Sequence, residues 1–144
     1  MILNHTCSIL LADDDSDDCA LFEEALNEIA LPTQLTTVRN GEQLMQHLEE
    51  TECELPDVVF LDLNMPRKNG FDCLTEIKQN KKLELLNVII ISTSFHQEVV
   101  DQLYKTGARL FIRKPTDFQD LKKIIHEVLS VIKVKTPLET LVLT

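Results

Sequence analysis

Four short apolar segments of the sequence each end in polar residues of a kind that could carry out chemistry. The first two segments end in acids, the third in hydroxyls and the fourth in a pair of bases. The residues that follow the four segments are Asp13-Asp14-Asp15, Asp62, Ser92-Thr93-Ser94 and Arg113-Lys114. Carboxylates bind Mg²⁺, and a carboxylate can also be a nucleophile that forms an aspartyl-phosphate. Because a hydroxyl and an ammonium can hold the new phosphoryl oxygens, this set predicts phosphoryl-transfer chemistry.

The segments before these polar residues are predicted to be strands of a parallel sheet. Each of the main runs is short and continuously apolar, as expected for a strand that is buried on both faces. Between the runs, apolar residues recur at helical spacing, so strand and helix alternate through the chain. The predicted strands are Cys7–Ala12, Thr36–Val38, Asp57–Asp62, Asn87–Ser92 and Arg109–Arg113. This pattern predicts a doubly wound α/β fold, in which ligands bind at the carboxyl ends of the strands.

Each of these polar residues also has a purely structural interpretation. The acids from Asp13 to Asp18 could cap a helix, because acids favour helix N-termini. Asp62 could be a turn residue, Ser92 could cap the following helix, and Lys114 could be a solvated surface lysine. Capping needs one acid, however, and not a run that begins at the end of a strand. The joint occurrence at four strand ends therefore favours a site.

Length, charge and composition restrict the class of protein. The chain has 144 residues and a formal net charge of −10, which predicts one domain that does not bind nucleic acid directly, since such binding depends on Lys and Arg. No apolar run approaches the roughly 20 residues that a membrane helix needs, and residues 1–7 lack the basic start of a secretory signal. The four scattered cysteines are interpreted as reduced thiols of a cytoplasmic protein.

Four motifs together resemble the receiver domain of two-component response regulators. They are Ile9-Leu10-Leu11-Ala12-Asp13-Asp14-Asp15, Phe60-Leu61-Asp62-Leu63-Asn64-Met65-Pro66-Arg67-Lys68-Asn69-Gly70, Ile90-Ile91-Ser92-Thr93-Ser94 and Phe111-Ile112-Arg113-Lys114-Pro115. The resemblance covers about residues 6–133 and implies a flavodoxin-like (βα)5 fold, with a five-stranded parallel sheet in the order 2-1-3-4-5 and helices on both faces. It implies a stand-alone bacterial signalling protein that is not an enzyme, with a receiver domain at 1–134 and a C-terminal tail at 135–144.

The resemblance assigns a role to each residue of the acidic pocket. Asp62 would be the residue that is phosphorylated, in a Mg²⁺-dependent reaction. Asp13, Asp14 and Asp62 would hold the Mg²⁺, and whether Asp13 or Asp14 binds it directly or through water is left open. The backbone carbonyl of Asn64 would be a further ligand, whereas Asp15 would be adjacent to the site and not a ligand.

Three further residues would act on the phosphorylated form. Ser92 and Lys114 would contact the phosphoryl oxygens as catalytic residues, and the movement of Ser92 would transmit the change. Phe111 stands where the family has a switch aromatic, often Tyr, so a switching hydrogen bond from that side chain is absent. The family pattern also implies a cis peptide bond between Lys114 and Pro115.

The resemblance also implies the partners. The phosphoryl donor would be a sensor histidine kinase, of the phytochrome or hybrid type, or a histidine phosphotransfer protein, and it would bind near the first helix at Ser16–Ala30. The fourth helix, fifth strand and fifth helix, at about residues 96–132, form the family's output face and its homodimer face. Neither nucleic acid nor a membrane is expected as a partner.

Three other interpretations are left open by the residues. A haloacid-dehalogenase-type phosphatase would use the same groups, but it needs a second acid two positions after its nucleophile, where this sequence has Asn64. A calcium-binding EF-hand loop would use four spaced acids, but it needs glycine where this sequence has Asp18. Those four acids are Asp13, Asp15, Asp17 and Glu24. A receiver-fold scaffold that works without phosphorylation predicts the loss of a pocket residue, and none is missing.

Overall fold

Strands and helices alternate along the chain, as the sequence pattern predicts. The computed structural model describes residues 6–50 and 54–133, and within these residues there are five strands and five helices. The strands are β1 (Cys7–Ala12), β2 (Thr33–Val38), β3 (Val58–Asp62), β4 (Val88–Ser92) and β5 (Leu110–Arg113). The helices are α1 (Ser16–Asn27), α2 (Gly41–Glu50), α3 (Gly70–Gln79), α4 (Gln97–Thr106) and α5 (Phe118–Lys133).

The strands form one parallel sheet in the order β2-β1-β3-β4-β5, which confirms the predicted fold class. β2 lies on one side of β1, and β3 lies on the other side of β1. The order in which strands are added to the sheet therefore reverses between β1 and β3. Ala12 pairs with Leu61 across this junction, and Asp62 pairs with Ile91 on β4. Ligands of doubly wound sheets bind at such a reversal, beside the carboxyl ends of the strands.

Each face of the sheet is covered by its own group of helices. One apolar cluster joins Leu10 to residues of α2, α3 and α4, and the other joins Ile9 to residues of α1 and α5. Ile9 and Leu10 are neighbours on β1 whose side chains point to opposite faces, since side chains alternate along a strand. Both are almost fully buried, and each such side chain stabilises the fold by about 1.5–3 kcal/mol. Burial on both faces is why the inner strands are continuous apolar runs.

Two element boundaries, the start of β2 and the end of α1, differ from the sequence-based prediction by more than one residue. β2 begins at Thr33 and not at Thr36. Its first two residues, Thr33 and Gln34, are polar because β2 is an edge strand with partly exposed side chains. Only the pairing of β2 with β1, which begins at Cys7, defines these residues as strand. α1 ends at Asn27 and does not continue to Ala30, because the chain turns there to enter β2.

Glycine is required where α4 ends. Gly107 has a φ of 124°, and its N–H donates to two carbonyls of the last turn of the helix. A Cβ at this position would lie between 2.9 and 3.1 Å from the side-chain carbons of Lys78. The Lys78 ammonium donates to the carbonyls of Glu84 and Leu86 at 2.9 and 2.8 Å, and burial lowers its pKa. Lys78 therefore ties α3 both to the end of α4 and to the turn that leads into β4.

Among the described residues, Cys19 and Cys73 are free thiols. Cys7 and Cys73 are buried and Cys19 is partly buried, while Cys53 lies outside the described residues. Burial raises the pKa of the Cys73 thiol to about 12, and burial is also the main cause of the raised pKa of Cys19. Both thiols are therefore protonated and poor nucleophiles near neutral pH.

The predicted C-terminal tail falls outside the described part of the chain. Neither the domain boundary at residue 134 nor the segment 135–144 is among the described residues. Among the helices of the described residues, none is both long enough and apolar enough to cross a lipid bilayer.

Candidate functional site

Three carboxylates meet at the carboxyl edge of the sheet, where the strand order reverses. Asp13 and Asp14 directly follow β1, and Asp62 is the last residue of β3. Each residue offers one carboxylate oxygen, and these oxygens all lie within 4.8 Å of one another. Asp13 and Asp62 are only 1% and 6% exposed, whereas Asp14 is open to solvent. The fold therefore brings together the three acids that the sequence predicts, and leaves one of them accessible from outside.

The ammonium of Lys114, which directly follows β5, reaches two of these carboxylates and also that of Asp18. Its Nζ lies 2.9 Å from Asp13 Oδ2, 2.8 Å from Asp18 Oδ2 and 3.3 Å from Asp62 Oδ2. The backbone N–H of Lys114 donates to the carbonyl of Ser92 at 2.7 Å, which anchors the lysine to the end of β4. Lys114 therefore contacts acids on both sides of the strand reversal, Asp13 after β1 and Asp62 at the end of β3.

The acidic run after β1 divides into residues with different roles. Asp15 is the N-cap of α1, because its carboxylate accepts hydrogen bonds from the N–H groups of Asp17 and Asp18 at 2.9 and 3.1 Å. Helix capping therefore applies to Asp15 and not to Asp13, whose Oδ1 accepts from the Asp15 N–H at 3.0 Å. Sequence reasoning misses Asp18 as a partner of Lys114, since no spacing rule separates Asp18 from Asp17.

Burial dominates the electrostatics of Asp62. It raises the pKa of this carboxyl group from 3.8 to about 6, and the negative charge of Asp13 adds to the effect. Lys114 and the N–H of Asn64 act in the opposite direction without cancelling it. Burial lowers the pKa of Lys114, but the hydrogen bonds to Asp18 and Asp13 and the negative charges of Asp62 and Asp13 together outweigh burial, so the net pKa of the ammonium is raised. Lys114 is therefore a cation at neutral pH, and Asp62 is mostly ionised above about pH 7.

The loop after β3 is shaped around Asp62. The N–H of Asn64 donates to Asp62 Oδ1 at 3.1 Å, and the N–H of Gly70 donates to the carbonyl of Leu63 at 2.9 Å. A Cβ on Gly70 would lie 2.6 Å from the Asp62 carbonyl oxygen and 2.8 Å from the Cα of Leu63. Because those atoms belong to the backbone and cannot give way, only glycine lets α3 begin directly against the end of β3.

Ser92 lies on the same edge of the sheet, at the end of β4. It is fully buried, whereas Thr93 next to it is exposed. The Ser92 hydroxyl accepts a hydrogen bond from the Ser94 N–H at 3.2 Å and lies 3.3 Å from the Ser94 hydroxyl. In this structure the hydroxyl is therefore held by its own loop, one strand away from Asp62.

Phe111 and two other aromatic side chains connect β5 to α4. The ring of Phe111 lies 6.0 Å from the ring of Phe95, centroid to centroid. The backbone N–H of Phe111 donates to the hydroxyl of Tyr104 at 2.9 Å, so a helix residue pairs with an N–H of an edge strand. No spacing rule in the sequence links Tyr104 to Phe111, so the partner of the Tyr104 hydroxyl is visible only in the fold.

Replacing Tyr104 by phenylalanine removes this hydrogen bond and keeps the ring. We expect the free energy of unfolding to fall by about 0.5–1.5 kcal/mol, the usual net contribution of one hydrogen bond, as measured by urea denaturation. Hydrogen exchange of the Phe111 amide should also become faster. Phe95→Leu removes the ring partner and keeps the hydrogen bond, so equal acceleration of exchange in both variants would contradict the role given to the Tyr104 hydroxyl.

The peptide bond before Pro115 differs from the expectation. The resemblance implies a cis bond between Lys114 and Pro115, but no cis peptide bond occurs in the described residues, so this expectation is wrong. The two isomers of a bond before proline differ by only about 0.5–1 kcal/mol, so the motif alone does not decide between them. With the trans bond, the Lys114 N–H still reaches Ser92 and its ammonium still reaches Asp13.

In this doubly wound domain, a cluster of carboxylates lies at the strand reversal, and a lysine that follows the last strand contacts two of them. This arrangement is typical of a receiver-type signalling domain. Comparison with protein families agrees with this class. Residues 9–126 match the model of the response regulator receiver domain, and the chain belongs to that family. It is therefore a member of a family of two-component signalling domains and not a classical enzyme.

Several known proteins are similar over most of the chain. The response regulator Rcp1 of Synechocystis sp. is 30% identical over 122 residues, which cover 82% of this chain and 83% of Rcp1. The crystal structure of phosphorylated RcpA, a cyanobacterial phytochrome response regulator, superposes with a TM-score of 0.83 at 28% identity and covers 92% of this chain and 97% of RcpA. The Mn²⁺-bound crystal structure of Rcp1 superposes with a TM-score of 0.80 at 29% identity, with coverages of 90% and 97%.

Proposed function

We propose that this receiver accepts a phosphoryl group on Asp62 from the phosphohistidine of a histidine kinase or of a histidine phosphotransfer protein. The observation that carries the proposal is the position of the Asp62 carboxylate, which is buried at the end of β3, grouped with Asp13 and Asp14, and 3.3 Å from the Lys114 ammonium. Burying a carboxylate is costly for a fold, and such costs are typical of functional sites. A phosphorylated form is known for RcpA, which has the same fold.

The same residues fit a divalent cation such as Mg²⁺. Carboxylate oxygens within 4.8 Å of one another are the hard ligands that this ion prefers. We assign Asp13, Asp14, Asp62 and the backbone carbonyl of Asn64 to hold it, by analogy with Rcp1, which has a Mn²⁺-bound form. A cation held there would neutralise negative charge on the phosphoryl oxygens.

The transfer places defined demands on the side chains. A carboxylate oxygen of ionised Asp62 attacks phosphorus, so an O–P bond forms while the N–P bond to the donor histidine breaks and its electron pair returns to the histidine nitrogen. The Lys114 ammonium, 3.3 Å from Asp62, turns to a phosphoryl oxygen. The Ser92 hydroxyl leaves its contact with Ser94 and donates a hydrogen bond to another phosphoryl oxygen, and this movement shifts the loop after β4. Phe111 then changes position as the switch aromatic.

The relatives support a particular class of phosphoryl donor. RcpA is described as a phytochrome response regulator, so we take a phytochrome-type histidine kinase, acting in the cytoplasm, as the first donor to test. α1 is the element to which we assign docking, because its N-terminus adjoins Asp13 and Asp14. Leu21 on this helix is a large apolar side chain exposed to solvent, a feature that suits a docking surface.

We assign output and homodimer contacts to the face formed by α4, β5 and α5. Phe95, Val99 and Tyr104 are exposed large apolar side chains on or directly before α4. Phe95 adjoins Phe111 on β5, so a shift of the loop after β4 would reach this face through one aromatic pair. Sedimentation velocity with and without phosphorylation tests whether a dimer forms there.

Intact-mass spectrometry after incubation with acetyl phosphate and Mg²⁺ tests the phosphoacceptor. We expect one added phosphoryl group, which is lost when Asp62 is replaced by asparagine and when EDTA removes the metal. Asp72→Asn is the matched control, because Asp72 is an exposed acid in the first turn of α3. The control variant should keep the adduct.

Three other outcomes point elsewhere. An adduct that persists in the Asp62→Asn variant would place the acceptor at another residue. A folded protein that forms no adduct and binds no beryllofluoride would favour a scaffold that works without phosphorylation. Steady turnover of a generic phosphomonoester would favour a phosphatase.

A further inference from the structure

The Lys114 ammonium has a carboxylate partner outside the group of converging acids. Its shortest contact, at 2.8 Å, is to Asp18 Oδ2 in the first turn of α1. Asp18 does not belong to the group formed by Asp13, Asp14 and Asp62. The other two contacts of Lys114, at 2.9 and 3.3 Å, are to members of that group. Lys114 is therefore shared between the acidic group and an acid beside it.

The carboxylate of Asp18 is available for this contact because Asp15 supplies the helix cap. Asp15 Oδ1 accepts from the N–H groups of both Asp17 and Asp18, so neither of their carboxylates is needed to cap α1. The side chain of Asp17 is exposed, whereas the side chain of Asp18 is 36% exposed and turned to Lys114. The two acids carry the same charge in the same helical turn and differ in what they touch.

Two cations compete for Asp13 and Asp62. A lysine ammonium has three N–H donors, and Lys114 donates one hydrogen bond each to Asp13, Asp18 and Asp62. A divalent cation in this pocket uses oxygens of two of the same acids, and like charges repel strongly where little water screens them. A lysine paired only with Asp13 and Asp62 would oppose metal binding. Because Lys114 also contacts Asp18, it can lose its contacts to Asp13 and Asp62 and still be paired with a carboxylate.

We propose that Asp18 is a positioning residue that retains the Lys114 ammonium at the rim of the site, so that Asp13 and Asp62 are released to a divalent cation. The inference rests on the proposed function only in assigning such a cation to the pocket, and it does not require phosphorylation of Asp62. Held in this way, the ammonium also stays within reach of a phosphoryl group on Asp62.

The Mg²⁺ affinity of the unphosphorylated full chain tests this role. Isothermal titration calorimetry at fixed pH and ionic strength should show that Asp18→Asn weakens Mg²⁺ binding by about three- to tenfold, the range expected for coupled neighbouring charges. Asp17→Asn removes the same charge from an exposed side chain one residue away. The control should weaken binding by less than about twofold, because only screened, longer-range attraction is lost.

A double-mutant cycle with Lys114→Met separates positioning from simple charge. Lys114→Met alone should strengthen Mg²⁺ binding, because a competing cation is removed. In that background, Asp18→Asn should have no larger effect than Asp17→Asn. Asp18→Ser removes the carboxylate with a different side chain and should reproduce the result of Asp18→Asn, and thermal unfolding of each variant verifies that it is folded.

Three results would overturn the proposal: equal effects of Asp18→Asn and Asp17→Asn, an undiminished effect of Asp18→Asn in the Lys114→Met background, or no measurable Mg²⁺ binding by the parent chain. Failure of the parent chain to form a phosphoryl adduct would count against the proposed function alone. Every measurement of this cycle uses unphosphorylated protein, so the two failures are distinguishable.

Discussion

Replacing Asp13 and Asp14 together by asparagine is expected to weaken Mg²⁺ binding by roughly a hundredfold or more. Both residues directly follow β1, and each offers one oxygen to the group that Asp62 completes. Asparagine keeps an acceptor for the Asp15 N–H, which now lies 3.0 Å from Asp13 Oδ1, so the start of α1 should be preserved. The negative charge that attracts the cation is lost, and titration calorimetry measures the change.

The matched control removes two acids from the same region but outside the pocket. Asp17→Asn with Glu24→Gln changes the net charge by the same amount, and both of these side chains are exposed. They also occupy two of the positions that a calcium-binding EF-hand loop would use. An EF-hand-type site would use Asp13 as well as Asp17 and Glu24, so a loss of binding in this control as large as the loss on replacing Asp13 and Asp14 would favour such a site and contradict the pocket.

In the absence of metal, Asp62→Asn is expected to stabilise the protein by about 2–3 kcal/mol above about pH 6. The pKa of the Asp62 carboxyl group is raised from 3.8 to about 6 in the folded state, first by burial and then by Asp13. The folded state therefore binds this proton more tightly than the unfolded state does. The stability that results is present below about pH 4 and is lost as the pH rises through about 6. Asparagine has no such proton, so the variant escapes the loss.

Urea denaturation in EDTA at about pH 4.5 and at about pH 7.5 measures this effect. The stability gained by Asp62→Asn over the parent should be several times larger at the higher pH. Glu49→Gln, at an exposed acid on α2, is the control and should show no pH-dependent gain. A gain of equal size at both pH values would mean that the amide simply packs better, and the titration of Asp62 would not be the cause.

Local pattern was sufficient to predict the doubly wound α/β class and the residues that line the edge of the sheet, whereas the strand order was implied by the resemblance to receiver domains. Continuous apolar runs predict strands buried on both faces, and such strands belong to a parallel sheet with helices on each side. Parallel strands end at one edge, so the polar residues after them had to meet there. The structure places five of these residues at that edge, namely Asp13, Asp14, Asp62, Ser92 and Lys114.

Pattern was insufficient wherever a contact depends on how two elements pack. β2 extends beyond its predicted start because an edge strand need not be apolar, and its pairing with β1 is what defines it. Burial outweighs the charge of Asp13 in raising the pKa of Asp62, and burial depends on the whole fold. The motif also did not predict the trans peptide bond before Pro115, since the two isomers are close in free energy.

The sequence by itself determined which residue types stand at the ends of the strands, because periodicity and polarity are local properties of a chain. Only the tertiary structure decided which of these groups touch. Asp18 and Lys114 are 96 positions apart, and their 2.8 Å contact depends on the angle at which α1 leaves β1 and on the path of the chain after β5. The hydrogen bond from Phe111 to Tyr104 depends in the same way on the packing of α4 against β5. Packing angles arise from the summed contacts of the whole core, and no short stretch of sequence contains them.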